Sequence, residues 1–126
     1  MLSPTEVMAE LSSWMDSIEE PGEAQAKVLE ALTDIYARTG YGREHGVEPG
    51  MDIEEFRRAL PPRNYEGFRE YIIEVLKGGV RALLGEEPIF IGITSGSTGP
   101  PKAIPITERD AELRMSVMLK GIARYA

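Results

Sequence analysis

The residues best suited to bind an anion lie in one short segment of the chain, Ile93–Thr107. Two hydroxyl residues precede a glycine, two more precede a second glycine, and a lysine follows after two prolines. Glycines permit positive φ and a close approach of the backbone to a ligand, and successive N–H groups form a concave nest for phosphate oxygens. The hydroxyls add donors, and the lysine adds a point charge. The predicted phosphate-binding residues are Thr94, Ser95, Gly96, Ser97, Thr98, Gly99 and Lys102.

The spacing of this segment differs from the phosphate loop of nucleoside triphosphatases. That loop has Gly-x-x-x-x-Gly-Lys followed by Ser or Thr, and it opens a helix. Here Pro100 and Pro101 separate Gly99 from Lys102, and Ala103 follows the lysine. The alternative is a flexible Gly/Ser/Pro turn without a ligand, but the density of hydroxyl and glycine residues favours a phosphate-binding loop of another class.

The loop resembles that of acyl-adenylate-forming enzymes, Thr-Ser-Gly-Ser/Thr-Thr-Gly-x-Pro-Lys-Gly. Thr94–Lys102 matches this pattern position by position, and Ala103 replaces the last glycine. The continuation Ile104-Pro105-Ile106-Thr107 is similar to the Ile-Pro-x-Thr tail of the Gretchen Hagen (auxin-responsive) acyl-acid amido synthetase family. Acyl-CoA synthetases generally lack that proline, so the resemblance favours the amido synthetases.

The sequence upstream of the loop adds to this resemblance. Tyr41-Gly42-Arg43-Glu44-His45-Gly46 is similar to a Tyr-Gly-x-x-x-Gly segment of the family, and Tyr65-Glu66 to a Tyr-Glu pair that follows it. The resemblance covers roughly Gln25–Thr107. It implies that the chain is the amino-terminal part of a larger α/β adenylate-forming enzyme, as a truncated gene product, a split gene or a cloned fragment.

The resemblance also implies a reaction in two steps for the complete enzyme. ATP and a carboxylic acid form an acyl-adenylate and pyrophosphate, and an amine then displaces AMP. Ser95–Gly99 would contact the ATP phosphates, Lys102 would neutralise the departing pyrophosphate, and Mg²⁺ would bridge phosphate oxygens. No catalytic residue and no protein ligand to a metal is assigned in this chain. We expect the isolated chain to be inactive and to bind neither ATP nor Mg²⁺ tightly, because the adenine and acid pockets of the family lie downstream of the loop.

Two alternative functions remain open from the sequence. One is a fragment of an acyl-CoA or aryl-CoA ligase, whose acceptor is a thiol instead of an amine. The other is a non-catalytic remnant of the fold that self-associates. If the chain is a fragment, a dimer or larger homo-oligomer is expected, because the apolar strand Ile89–Ile93 without its native neighbours exposes an edge that pairs readily.

The predicted fold that positions the loop is mainly helical with one short β-hairpin. Strands at Ile89–Thr94 and Lys102–Ile106 flank the loop, and Tyr41–Met51 is predicted to be irregular because of its glycines and proline. Helices are predicted at Pro4–Glu19, Glu23–Arg38, Ile53–Leu60, Asn64–Lys77 and Glu108–Arg124 from apolar spacing and capping residues. We expect one incomplete domain over residues 1–126, with a helical region at 1–86, the strand-loop-strand hairpin at 87–107 and a helix at 108–126.

Composition excludes several classes of partner. The 126 residues carry 21 acidic and 14 basic side chains, a net charge of −7, which opposes binding to nucleic acid and to anionic lipid. The absence of cysteine excludes disulfides and thiolate metal sites and suits a reducing compartment. The first residues contain no secretory signal pattern and no apolar run is long enough for a membrane span. A cytoplasmic protein is therefore predicted.

Two further sets of residues have competing interpretations. His45, the single histidine, would suit a general base, but a half-exposed loop residue or a helix-end cap is favoured because no partner is visible in the sequence. Trp14 and the methionines Met8, Met15, Met115 and Met118 fall on apolar helical stripes and are predicted to pack in a core. The alternative is that apolar surface left uncovered in a truncated protein binds another subunit.

Overall fold

The computed structural model describes residues 3–97 and 99–123. Within them, antiparallel strands β1 and β2 form a two-stranded sheet. The other elements are helical, which confirms the predicted fold class. The α-helices are α1 (Pro4–Glu19), α2 (Pro21–Tyr36), α3 (Gly40–Glu44), α4 (Ile53–Ala59), α5 (Arg69–Leu76) and α6 (Glu108–Ala123). The strands are β1 (Pro88–Ile93) and β2 (Ala103–Thr107), and short 3₁₀ helices occupy Tyr65–Phe68 and Val80–Ala82.

Capping boxes begin two of the helices. At α1, the Ser3 hydroxyl accepts from the Glu6 N–H at 3.3 Å, and the Glu6 carboxylate accepts from the Ser3 N–H at 2.6 Å. At α4, Asp52 and Glu55 make the same reciprocal bonds, each at 2.9 Å. Such caps satisfy N–H groups that have no partner inside the helix, and each is worth about 1 kcal/mol. They explain why the predicted starts of both helices are confirmed.

Among the predicted boundaries that differ from the structure, two are explained by proline and glycine, which occur at helix starts as well as at helix ends. Helix α2 begins at Pro21 instead of Glu23, since the fixed φ of proline suits the first helical position. Gly40 and the first four residues of the segment predicted as irregular, residues 41–44, form α3, so a glycine begins this helix. The cause is Thr39, whose buried hydroxyl accepts from the Gly42 N–H at 3.0 Å and caps α3.

The described residues belong to two compact units, one spanning residues 28–107 and one formed by residues 1–27 with 108–126. In the second unit the Glu10 carboxylate of α1 accepts hydrogen bonds from two α6 side chains, Ser116 at 3.0 Å and Lys120 at 3.1 Å. The bond from Lys120, with that from Ser116, lowers the pKa of Glu10 below its ordinary value. The α1–α6 contact is therefore partly polar.

The prediction that the methionine stripes are packed in a core was wrong. Met8, Met15, Met115 and Met118 are between 50% and 66% exposed. Two helices packed as a pair can cover only one face of each other, and the apolar stripes of α1 and α6 are wider than that contact. Helical spacing identified the apolar faces correctly but carried no information on what covers them.

The core of the unit spanning residues 28–107 is small and lies around α3, α5 and the second 3₁₀ helix. Its buried apolar side chains are Tyr41, Val47, Ile72, Val75 and Val80. Thr33 of α2 is also fully buried, and its hydroxyl donates to the Glu30 carbonyl at 2.9 Å and accepts from the Gly50 N–H at 3.2 Å. This bond ties the segment that follows α3 to helix α2.

The hairpin belongs to the same unit and ends in the predicted loop. Strand β1 pairs with β2 from Pro88 opposite Thr107 to Ile93 opposite Ala103, with an irregularity between Pro88 and Phe90. The predicted strands are confirmed to within one residue at each end. In the part of the chain that the structure describes, no helix combines the length and the apolar character needed to cross a membrane.

Candidate phosphate-binding site

The loop is closed at its base by two hydrogen bonds between Thr94 and Lys102. The Thr94 N–H donates to the Lys102 carbonyl at 3.0 Å, and the Lys102 N–H donates to the Thr94 hydroxyl at 3.0 Å. The hydroxyl of Thr94 thus takes the place of a backbone carbonyl in the last rung of the ladder. It keeps its own proton to donate to a ligand.

The tip of the loop is a turn that requires glycine at position 96. Gly96 has φ +67°, and the Gly99 N–H donates to its carbonyl at 3.3 Å. A Cβ at this position would lie 2.9 Å from the Gly99 carbonyl oxygen and 3.2 Å from the Pro101 ring. Both the backbone conformation and the close contact therefore exclude a larger residue without rearrangement of the loop.

We expect the variant Gly96→Ala to rearrange the loop while the rest of the chain stays folded. A non-glycine residue at positive φ costs about 1–2 kcal/mol, which a surface loop can relieve by moving. Amide chemical shifts should change at residues 95–99 and 102 and stay constant in α5. Gly121→Ala, in α6 where a Cβ meets nothing within 4 Å, is the matched control. Unchanged shifts in the Gly96 variant would contradict the described turn.

The loop lines an open concavity of about 210 Å³. Its lining contains hydroxyls, backbone amides and one ammonium group, but no carboxylate. The volume is below the roughly 300 Å³ at which enclosed small-molecule sites begin, so it suits a phosphate group better than a whole nucleotide. The lining residues are Thr94, Ser95, Gly96, Ser97, Gly99, Pro100 and Lys102. These include all the predicted site residues except Thr98, which lies outside the described residues.

One contact of the loop was missed from the sequence. The Tyr65 hydroxyl donates to the Ala103 carbonyl at 3.2 Å and accepts from the Ala103 N–H at 3.1 Å. The Lys102 ammonium lies 5.4 Å from the centre of the Tyr65 ring, within the range of a cation–π contact. In the sequence, Tyr65 stands out only as part of the Tyr-Glu pair. A separation of 38 residues leaves no local pattern that would reveal the contact.

His45 has both ring nitrogens engaged within the protein. Nδ1 lies 2.8 Å from the Tyr41 carbonyl, and Nε2 lies 2.8 Å from a guanidinium nitrogen of Arg63. Because guanidinium can only donate, Nε2 accepts and the proton resides on Nδ1. His45 is also the residue that ends α3. The geometry agrees with the helix-end cap that the sequence favoured, and leaves neither nitrogen free to act as a general base.

The residues of the loop fit the phosphates of ATP but do not form a protein-held magnesium site. Magnesium prefers oxygen ligands, usually with one or two carboxylates. The loop lining offers none, and the described residues contain no group of three or more His, Cys, Asp or Glu side chains placed to hold a metal. A magnesium ion at the loop would depend on the oxygens of the phosphates themselves.

Comparison with known proteins places the loop within a recognised domain. Residues 10–125 match the GH3 family N-terminal domain. The chain is 35% identical over 115 residues to the indole-3-acetic acid-amido synthetase GH3.15 of Arabidopsis thaliana, an alignment that covers 90% of this chain and 19% of that relative. It is 30% identical over 94 residues to the indole-3-acetic acid-amido synthetase GH3.6 of Arabidopsis thaliana, covering 73% of this chain and 15% of that relative.

A relative from another plant gives a similar alignment. The chain is 28% identical over 111 residues to the probable indole-3-acetic acid-amido synthetase GH3.2 of Oryza sativa subsp. japonica, covering 86% of this chain and 17% of the relative. The chain thus spans less than a fifth of the length of these relatives, and no solved structure matches it. Because the family match extends over nearly the whole chain and includes the entire loop, the chain belongs to the GH3 family, in which it corresponds to the N-terminal domain.

Proposed function

We propose that the chain is the phosphate-binding part of an ATP-dependent acid-amido synthetase. In this proposal the loop Thr94–Lys102 holds the phosphates of ATP while a carboxylic acid is converted to an acyl-adenylate. The observation that carries it is the concavity at the tip of the hairpin, which is lined by amides, hydroxyls and one ammonium without any carboxylate. Such a lining attracts a polyanion and repels no part of it.

The first step needs charge stabilisation more than covalent chemistry from the protein. The acid carboxylate attacks the α-phosphorus of ATP, a new carboxyl-oxygen–phosphorus bond forms, and the bond to the bridging oxygen of pyrophosphate breaks. The electron pair and negative charge move onto the pyrophosphate. The hydroxyls and N–H groups of Ser95 and Ser97 would donate to its oxygens, and Lys102 would offset its charge. Bound Mg²⁺ supplies further neutralisation of the phosphate oxygens.

The second step transfers the acyl group to an amine. The amine attacks the acyl carbon, an amide bond forms, and AMP leaves with the electron pair of the broken acyl–phosphate bond. The proton lost from the amine nitrogen passes to solvent. The relatives are named as amido synthetases, which favours an amine acceptor over the thiol of an acyl-CoA ligase. Pro105, which lies opposite Ile91 in the hairpin, supports the same choice because it belongs to the family's Ile-Pro-x-Thr tail.

The test of this proposal is ATP–pyrophosphate exchange in a complete enzyme that carries this chain. Exchange that depends on a carboxylic acid and needs no amine would support adenylation as the first step. The 126-residue chain alone should show no exchange, because an open concavity of about 210 Å³ cannot enclose the adenine and the acid. Exchange that requires the acceptor from the start would contradict the proposed order of steps.

The exposed apolar strand leads to a separate expectation about assembly. Ile89, Phe90 and Ile93 on β1 are each more than half exposed, although strand β1 is apolar. We expect two copies of the chain to associate weakly through β1, because apolar strands with an open edge pair with one another. Sedimentation velocity at increasing concentration should show a growing dimer, and Ile93→Lys should suppress it. A clean monomer of the unmodified chain at high concentration would contradict this expectation.

A further inference from the structure

We infer that Tyr65 is a positioning residue for the phosphate-binding loop, a role that rests on the proposed function above. Its hydroxyl fixes the backbone of β2 directly after the loop. Its ring holds the Lys102 ammonium beside the concavity until an anion binds there and pairs with the ammonium. Tyr65 would thereby position both the end of the loop and the Lys102 side chain before a ligand binds.

The hydroxyl of Tyr65 acts on the backbone of Ala103 as a neighbouring strand would. Thr94 and Lys102 form a hydrogen-bonded pair across the hairpin, and such pairs alternate with non-hydrogen-bonded pairs in an antiparallel ladder. The next pair, Ile93 and Ala103, is therefore of the second kind, and the N–H and carbonyl of Ala103 face away from β1. The single hydroxyl satisfies both groups, at 3.1 Å and 3.2 Å. It anchors the residue that follows Lys102 to the 3₁₀ helix at Tyr65–Phe68.

The ring of Tyr65 gives Lys102 a weak partner in place of a strong one. The ammonium lies 5.4 Å from the ring centre, and no carboxylate of the described residues lies within ion-pair distance of it. An exposed cation–π contact is weaker than a charge-assisted bond to phosphate. Lys102 also lines the concavity, so a rotation of its side chain is enough to reach an anion bound there. The ring orders the lysine without competing with the ligand.

A second tyrosine of the same unit supplies a matched control. Tyr71, in α5, is half-buried like Tyr65, and its hydroxyl donates to the Glu44 carboxylate at 2.5 Å. This bond raises the pKa of Tyr71, whereas the hydroxyl contributes nothing to the loop. Tyr65→Phe and Tyr71→Phe each remove the hydroxyl of a half-buried tyrosine. Only the first removes a contact with the phosphate-binding hairpin.

The experiment measures ATP–pyrophosphate exchange in the complete enzyme, with separate KM values for ATP, pyrophosphate and the carboxylic acid. We expect Tyr65→Phe to raise KM for ATP and pyrophosphate by about three- to tenfold, the effect of losing one or two neutral hydrogen bonds. Tyr65→Leu, which also removes the ring, should have a larger effect. KM for the acid should stay within about twofold in both variants. Tyr71→Phe should leave all three KM values within about twofold.

A merely structural role of Tyr65 predicts a different result. If Tyr65 only stabilised the fold, Tyr65→Phe would lower the midpoint of unfolding. It would then either change all three KM values together or change none of them. The inference is overturned if Tyr65→Phe raises KM for ATP no more than Tyr71→Phe does. It is also overturned if the Tyr65 ring does not shift the NMR signals of the Lys102 side chain. In NMR spectra of the chain, the ε-CH₂ protons of Lys102 should be shifted upfield, and the shift should persist in Tyr65→Phe and vanish in Tyr65→Leu.

Lys102→Ala separates failure of this inference from failure of the proposed function. If Lys102→Ala leaves exchange unchanged, the loop does not bind the phosphates and both proposals fail. If Lys102→Ala slows exchange while the Tyr65 variants have no effect, only the positioning role fails. In the double variant Tyr65→Leu/Lys102→Ala, the effects should be less than additive, because the ring has no ammonium left to position.

Discussion

Lys102→Ala is expected to slow ATP–pyrophosphate exchange in a complete enzyme by about ten- to a hundredfold. The loss of a hydrogen bond to a charged phosphate costs about 1.5–3 kcal/mol, which corresponds to that range of rates. The lysine lines the concavity of the loop and, among the described residues, its charge is balanced only by the face of the Tyr65 ring. Its removal therefore weakens the loop's attraction for pyrophosphate without leaving a buried carboxylate unpaired.

The control for this prediction is a lysine of similar exposure far from the loop in sequence. Lys27 is 72% exposed and pairs with Glu23 at 2.7 Å, so Lys27→Ala should leave exchange unchanged. Exchange is measured with the carboxylic acid present and before any amine is added. The loop is not a phosphate site if Lys102→Ala exchanges at the same rate as Lys27→Ala and the double variant Ser97→Ala/Thr98→Ala also leaves the exchange rate unchanged.

Gly42→Ala is expected to lower the free energy of unfolding by about 3 kcal/mol or more, the upper range for overpacking of a core. A Cβ at position 42 would lie 1.9 Å from the carbonyl oxygen of Tyr36, and this obstacle is backbone that cannot rotate away. Gly42 is buried in α3, next to the Thr39 hydroxyl that caps the helix. The variant must either separate α3 from the end of α2 or lose the cap.

Urea unfolding followed by circular dichroism measures this effect. Gly22→Ala is the matched control, because Gly22 lies in α2 and a Cβ there meets nothing within 4 Å. The control should be neutral or more stable by up to about 1 kcal/mol, as expected for glycine replaced by alanine in a helix. Equal midpoints for Gly42→Ala and the unmodified chain would show that α3 does not pack against α2 as described.

The parts of the fold that were predictable from sequence are those with local causes. Helices α1 and α4 begin with capping boxes, in which every partner lies within three residues. The hairpin was predictable because an apolar strand leads directly into a run of glycine and hydroxyl residues. Helix α3 was not predictable, because Gly40 and Gly42 are typical of loops. The reason for glycine at position 42 is its contact with Tyr36, which is visible only in three dimensions.

The candidate site shows the same division between local and distant causes. Its loop residues are consecutive, so the sequence alone brings them together around one concavity. Thr94 was predicted as a ligand donor, but its hydroxyl also closes the loop by accepting from Lys102. Tyr65 could not be predicted, since its contact with Ala103 depends on how the first 3₁₀ helix packs against β2.

The most direct test of the phosphate-loop proposal is a crystal structure of a complete enzyme carrying this chain, with ATP and Mg²⁺ bound. We expect phosphate oxygens within about 3.5 Å of the N–H groups of residues 95–97 and of the Lys102 ammonium. The ammonium should have left the face of the Tyr65 ring, while the Tyr65 hydroxyl still binds Ala103. Phosphates bound elsewhere in the enzyme, with residues 94–102 free of contact to them, would contradict the account.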